Sequence, residues 1–217
     1  MNLEQARFNM IEQQIRPWDV LDADVLRLLS VVKREDFVPL AHKALAFVDM
    51  EIPLGEGQCM LAPRVEARML QDAAIQKHET VLEIGAGSGY MAALLAHQAQ
   101  RVISLEINPE LAKLARANLQ KGGIHNAEVR QIDGSQGAPS EGPFDVIMLS
   151  GSVAELPQAL LAHLKVGGRL IGIVGDEPMM RATLVTRTSE TDFTTRQPWD
   201  TVAPRLLNFP EPSNFRF

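Results

Sequence analysis

The residues best placed to do chemistry sit at three strand ends. Glu83 precedes Gly85-Ala86-Gly87-Ser88-Gly89, Glu106 closes Arg101-Val102-Ile103-Ser104-Leu105-Glu106-Ile107, and Asp133 precedes Gly134 in Val129-Arg130-Gln131-Ile132-Asp133-Gly134. Glycines on alternate positions let a backbone turn sharply and meet a ligand where a Cβ would collide, and the helical pattern Met91 to Ala96 then offers free N–H groups. A dinucleotide fingerprint, G-x-G-x-x-G, needs a glycine at 90, where this chain has Tyr90. It also needs a helix start that receives a pyrophosphate, which a carboxylate at Glu83 would repel. A ligand with no phosphate and with a cationic sulfonium and ammonium fits the acidic series better. That ligand is S-adenosyl-L-methionine (AdoMet), with S-adenosylhomocysteine as product. On this reading Glu106 accepts the ribose hydroxyls and Asp133 accepts from the adenine amino group, while Glu83, Gly85, Gly87, Gly89, Ile107, Gly134 and Ser150 complete the cofactor site.

Three acidic strand ends in one cleft require a sheet that aligns them. From Thr80 onward apolar runs of strand length alternate with helical patterns, the order of a doubly wound, mostly parallel Rossmann-like α/β sheet. Asn108-Pro109 starts the helix after the second strand, and Phe144–Leu149 is the fourth strand. A helix is predicted over Leu156–Leu164, ended by Gly167-Gly168, with Arg169–Val174 as the fifth strand. Ala182–Arg187 and Phe193–Gln197 predict an antiparallel pair at the sheet edge.

Ahead of the sheet, Leu3, Ala6, Met10, Ile11 and Ile15 recur at helical spacing and predict an amphipathic helix over the first sixteen residues, ended by Pro17. Asp22 caps a second helix through Val32, and a short third is expected over Ala41–Ala46. Phe47 to Pro63, with Pro53, Gly55 and Gly57, reads as an irregular loop, either a lid over the glycine turn or a structural wrap. Pro63 suits the first turn of the helix that follows. The expected organisation is an N-terminal helical extension with its loop over residues 1–63 and an AdoMet-binding domain over 64–217, together one compact unit.

Composition narrows the class. A chain of 217 residues, 46% of them hydrophobic, supports one sizeable core, and no apolar run reaches the ~20 residues of a membrane span. Met1 to Gln5 lacks the basic start of a secretory leader, so a cytoplasmic location is expected, with no membrane partner. The net charge of −6 argues against a broad nucleic-acid footprint. Cys59 is the single cysteine, the five histidines are scattered, and no metal-ligand spacing is present.

Taken together these motifs resemble the class I AdoMet-dependent methyltransferases and, within them, the protein-L-isoaspartate O-methyltransferase family. The family-specific part lies upstream of the glycine turn, in Met10-Ile11-Glu12-Gln13-Gln14-Ile15, Arg34-Glu35-Asp36-Phe37-Val38-Pro39, Ala46-Phe47-Val48-Asp49 and Ile52-Pro53-Leu54-Gly55-Glu56-Gly57-Gln58. The resemblance implies methyl transfer to the carboxylate of isoaspartyl residues in a protein or peptide, a repair reaction. It also marks two departures. Where the family reads Thr-Ile-Ser-x-Pro, with the serine usually taken as the active-site residue, this chain has Cys59-Met60-Leu61-Ala62-Pro63. Where the family closes on Val-x-Phe-Val-Pro-Leu, this chain has Thr201-Val202-Ala203-Pro204-Arg205-Leu206-Leu207. Both fall on the acceptor side, where Ser150, Ser152 and Thr201 are the available hydroxyls. Another methyl acceptor, or a non-catalytic AdoMet- or partner-binding role, is the alternative that Leu61 raises. Asn-Pro-Pro-aromatic, common after the fourth strand of amino-group methyltransferases, is replaced by Leu149-Ser150-Gly151-Ser152.

Overall fold

The computed structural model describes residues 2–138 and 140–211. Helix α1 (Leu3–Met10) is capped by the Asn2 side chain, which accepts from the Glu4 and Gln5 amides. The predicted helix does run on, but its backbone widens to a π-helix over Ile11–Ile15 and tightens to a 3-10 turn over Arg16–Trp18. Pro17 is therefore not its end. The helical path stops at Asp19, whose left-handed φ of 61° breaks the repeat. Asp22 caps α2 (Ala23–Val31) as expected, and Leu40–Leu45 forms a 3-10 helix. The stretch read as an irregular loop contains an antiparallel hairpin, β1 (Ile52–Gly55) and β2 (Gln58–Met60). Gly55, Glu56 and Gly57 all take positive φ there, the twist that closes a tight hairpin. Pro63 opens α3 (Pro63–Ala73), where its missing N–H costs nothing.

The sheet is built from β3 (Thr80–Ile84), β4 (Arg101–Glu106), β5 (Ala127–Gln131), β6 (Phe144–Val153), β7 (Leu164–Asp176), β8 (Met179–Arg187) and β9 (Phe193–Thr201), in the order β5-β4-β3-β6-β7-β8-β9. β5 through β7 in that order are parallel, and β8 and β9 add the antiparallel edge. Helices α4 (Tyr90–Gln98) and α5 (Pro109–Lys121) make the first two crossovers and α6 (Gln158–Leu161) the last. Period-two alternation sorts the strand residues. Val81, Val102, Val129 and Val146 join the cluster under α2 to α5, whereas Leu82, Ile103, Leu105 and Ile147 face α6 and Phe209. The first cluster also contains Met10, Ile15 and Leu29, so the N-terminal helices share the core of the sheet.

Two predicted boundaries differ. The last crossover helix is only four residues, because Leu164 already pairs with Phe144, and Gly167-Gly168 lie inside β7 at a break in its register with β6. A Cβ on Gly168 would come within 2.9 Å of the Phe144 and Lys165 carbonyls, so glycine lets β7 fold back against β6. β6 in turn runs past Leu149, since Ser152 and Val153 pair with Ile173 and Val174 after a bulge.

One buried ion pair ties the N-terminal extension to this frame. Arg34, fully buried, pairs with Glu66 on α3, donates to the Leu61 carbonyl at 2.8 Å and stacks 5.1 Å from the Tyr90 ring centre. Breaking such a pair leaves an uncompensated charge in low dielectric, whereas removing both charges together is often neutral. Arg34→Met should therefore lower unfolding free energy by about 3–5 kcal/mol in urea denaturation, and the double variant Arg34→Met/Glu66→Met should recover most of that loss.

Candidate active site

At β3 the strand order reverses, with β4 on one side and β6 on the other, and ligands of open α/β sheets bind beyond the carboxyl ends of the strands at such a point. The glycine turn leaves β3 there. Gly85, Gly87 and Gly89 take φ of 92°, 52° and 83°, and the Gly85 amide is pinned to the Leu105 carbonyl at 2.8 Å. Gly89 caps α4 with Ala115 of α5 packed 3.2 Å from where its Cβ would lie, so it serves helix packing and does not line the cleft. Tyr90 is buried against Phe37 and Arg34. A ring therefore fills the position where a dinucleotide loop would need glycine.

The cleft is walled by Gly85, Gly87, Glu106, Ile107, Asp133, Gly134 and Ser150 from the cofactor series. Glu106 Oε2 accepts the Gly87 amide at 2.8 Å and Oε1 the Asn108 amide at 2.9 Å. Each carboxylate oxygen keeps acceptor capacity, which suits a vicinal diol. Asp133 Oδ1 accepts the Ser135 amide at 2.9 Å and Oδ2 accepts from Asn208 Nδ2 at 3.0 Å. These bonds, the Ser135 amide first, hold its carboxyl below the usual carboxylate range, so it is an acceptor at neutral pH. A glycine turn and two anchored carboxylates form a donor and acceptor set that matches an adenosine carrying a cationic tail.

Glu83 is placed differently from the charge argument that first singled it out. It is fully buried behind the turn, accepting Ser104 Oγ at 2.5 Å and Ser150 Oγ at 2.8 Å. Burial pushes its carboxyl up to about 7 against the pull of the two hydroxyls. Glu83 thus acts on the cleft through Ser150 and not by its own charge.

Across the cleft stand Gln58, Cys59 and Leu61. Leu54 of the hairpin lies 3.1 Å from the Cβ position of Gly87, so the loop does cover the glycine turn. Met60 and Leu61 also wall a smaller space behind the turn, with Glu66 and Tyr90. Leu61 is 5% exposed and its carbonyl is held by Arg34. Burial, with Glu51 beside it, raises the Cys59 thiol to about 11, the wrong direction for a nucleophile. Of the three candidate hydroxyls only Ser150 lines the cleft. Ser152 is buried and donates to Ala203, and Thr201 Oγ1 turns to the Val202 carbonyl.

Sequence reasoning missed Ser104, though a small polar residue inside Val102-Ile103-Ser104-Leu105 was a signal that something buried needed a donor. It placed Thr201 to Leu207 on the acceptor side and did not single out Phe209, whereas Pro204 to Leu207 and Phe209 form one wall of this same cleft. Apolar residues persisting after the last strand were the available clue.

The family model described as protein-L-isoaspartate(D-aspartate) O-methyltransferase matches residues 5–202. Protein-L-isoaspartate O-methyltransferase 1 of Syntrophobacter fumaroxidans is 43% identical over 185 residues, which cover 85% of this chain and 86% of that one. The protein-L-isoaspartate O-methyltransferase of Methanoculleus marisnigri is 43% identical over 171 residues, covering 79% and 78%. In fold, the chain is similar to a Plasmodium falciparum structure described as a protein-L-isoaspartate O-methyltransferase in complex with S-adenosyl-L-homocysteine, with a TM-score of 0.79 at 20% identity over 91% of this chain and 96% of that one.

A carboxyl whose folded value is raised from 4.5 to about 7 holds its proton better folded than unfolded. Its contribution to stability is complete below pH 4.5 and is lost as pH rises through 7. Burial likewise raises Glu66, while Arg34 beside it pulls it back down. Glu83→Gln keeps a neutral partner for the two serines. Between pH 5 and 8 its unfolding free energy should therefore fall less steeply than that of the wild type, by up to about 1.4 kcal/mol per pH unit. Denaturation curves at four pH values measure the slopes, and equal slopes would count against a protonated Glu83.

Proposed function

The chain belongs to the protein-L-isoaspartate(D-aspartate) O-methyltransferase family, and on that footing we propose that it transfers the methyl group of AdoMet to the free carboxylate of isoaspartyl residues in proteins or peptides. The observation that carries the reading is Glu106. Its two oxygens are anchored by backbone amides at the wall of the cleft, between the glycine turn and Asp133.

Glu106 would hold the ribose hydroxyls, Asp133 the adenine amino group, and the backbone of Gly85 and Gly87 the methionine tail, with Ile107 and Gly134 against the ring. When bound, the cofactor supplies an electrophilic methyl group on a sulfonium. The acceptor carboxylate, with a pKa near ~4, is already ionised at neutral pH and needs no general base. What the chain must do is orient it and keep water away. Leu61 and Cys59 serve the second task, Leu61 as an apolar wall fixed through its carbonyl by Arg34. Leu61 has no hydroxyl to donate to the acceptor, and Ser150 is the neighbouring hydroxyl in the cleft.

Residues 1–63 would then cap the acceptor side and residues 64–217 bind the cofactor within one compact unit. A single cysteine agrees with a cytoplasmic location. Among the described residues no helix is long and apolar enough to cross a membrane.

Two variants test the two sides separately. In calorimetric titration with S-adenosylhomocysteine, Glu106→Ala should weaken binding by about 1.5–3 kcal/mol, the scale of a hydrogen bond to a charged group. Absence of binding to the wild type would remove the cofactor assignment. Leu61→Ser should raise transfer to an isoaspartyl peptide about ten- to hundredfold while cofactor affinity holds, because it restores a donor to a buried charged acceptor. Its melting temperature should fall, because a buried leucine gives way to a smaller, polar side chain. An unchanged rate in a folded Leu61→Ser protein would show that this position does not limit the reaction.

A further inference from the structure

Residues 203–209 follow the last strand and lie across the carboxyl ends of the parallel strands. At β6 the Ser152 amide donates to the Pro204 carbonyl at 2.7 Å, the Leu206 amide donates to the Ser152 carbonyl at 2.8 Å, and Ser152 Oγ donates to the Ala203 carbonyl at 2.7 Å. Over β3 the Leu206 side chain fills the space beside the glycine turn. A Cβ on Gly85 would lie 2.7 Å from Leu206 Cδ2, and one on Gly151 2.9 Å from it. At β5, Asn208 adopts a left-handed turn, with φ of 63°, and donates to Asp133 Oδ2 at 3.0 Å. The path runs from β6 over β3 to β5, along the line of strand ends that joins Gly85, Glu106 and Asp133.

We propose that residues 203–209 form an intramolecular strap that occupies the cofactor cleft in the free protein and must swing out before the cofactor is admitted. The proposal rests on the cofactor reading given above. Strap and ligand compete for the space between Gly85 and Gly151, and Asn208 fastens the strap over Asp133 on the ligand's side. With the strap in place Leu206 narrows the cleft beside Gly85 and Gly151.

The fastening is graded. Arg205 is held firmly, by the Gly175 carbonyl at 2.7 Å, by Ser152 Oγ at 3.2 Å and by Asp176. The Asn208–Asp133 bond joins two exposed side chains, so it is readily exchanged for another partner. Leu206 to Asn208 is therefore the moving part, between Arg205 and the buried Phe209 as anchors. The strap lies beyond residue 202, where the family match ends. Binding free energy spent on opening it lowers the apparent affinity by the fraction of molecules that are already open.

Hydrogen exchange of the full chain with and without S-adenosylhomocysteine reads the strap directly. Saturating ligand should make the Leu206 amide exchange faster, because its bond to Ser152 is given up, while the melting temperature rises. Slower or unchanged exchange at Leu206 with binding established would overturn the strap as a competitor, since a segment that clasps the ligand is protected by it. Asn208→Ala and Leu206→Ala should each bind the ligand about fivefold more tightly in calorimetry, the scale of one net hydrogen bond. Equal or weaker binding by both variants, shown to be folded by their melting curves, would overturn the proposal. Binding to the variants but not to the wild type supports it. Binding to none defeats the cofactor reading and the strap with it.

Discussion

The open end of the sheet hangs from one buried carboxylate. Glu83 accepts a hydroxyl from Ser104 on β4 and another from Ser150 on β6, so a single side chain of β3 fixes its two neighbours at the level where the glycine turn leaves the strand. A polar group this deep costs several kcal/mol unless its bonds are made, and once they are made the arrangement tolerates little movement. Fully buried behind the turn, Glu83 is a bracket and not a wall of the cleft. The cleft takes its anionic character from Glu106 and Asp133. Both are tied to backbone amides, and the Ser135 amide holds Asp133 below the usual carboxylate range.

A second fixed point lies on the acceptor side and comes from far away in sequence. Arg34 in the N-terminal extension reaches Glu66 on α3 and the carbonyl of Leu61, so the wall facing the cofactor is positioned by residues that do not line the main cleft. The hairpin of β1 and β2 then lies over the glycine turn through Leu54. In this way the extension and the sheet share one apolar cluster and one site.

Most of the frame was legible because it follows from local rules. Strand alternation, the Asp22 and Asn108 caps and Pro63 at a first turn each specify a boundary through nearest neighbours alone. What failed to read depended on contacts between distant segments. Gly167-Gly168 has the composition of a helix stop, yet the pairing of Leu164 with Phe144 makes it a bulge within a strand. Pro17 looks like a terminator, yet the helical path tightens around it until Asp19. Within the site, Glu106, Asp133 and the glycine turn were legible as strand ends. Glu83 was found but given the wrong task, because sequence shows a carboxylate beside a turn and does not show the two serines that bury it. The segment after the last strand was legible as a departure from the family's closing run, and only the fold reveals that Leu206 lies against Gly85 and Gly151 and Asn208 reaches Asp133.

On the reading proposed above, a cleft of this shape, walled by Leu61, selects an isoaspartyl carboxylate. The most direct measurement offers methyl-labelled AdoMet and two peptides of one sequence that differ only in an isoaspartyl or an aspartyl linkage, and follows base-labile label at neutral pH. The account predicts label in the isoaspartyl peptide well above that in its aspartyl twin. Equal labelling of the two peptides, or labelling of neither by a protein that binds S-adenosylhomocysteine, would contradict it.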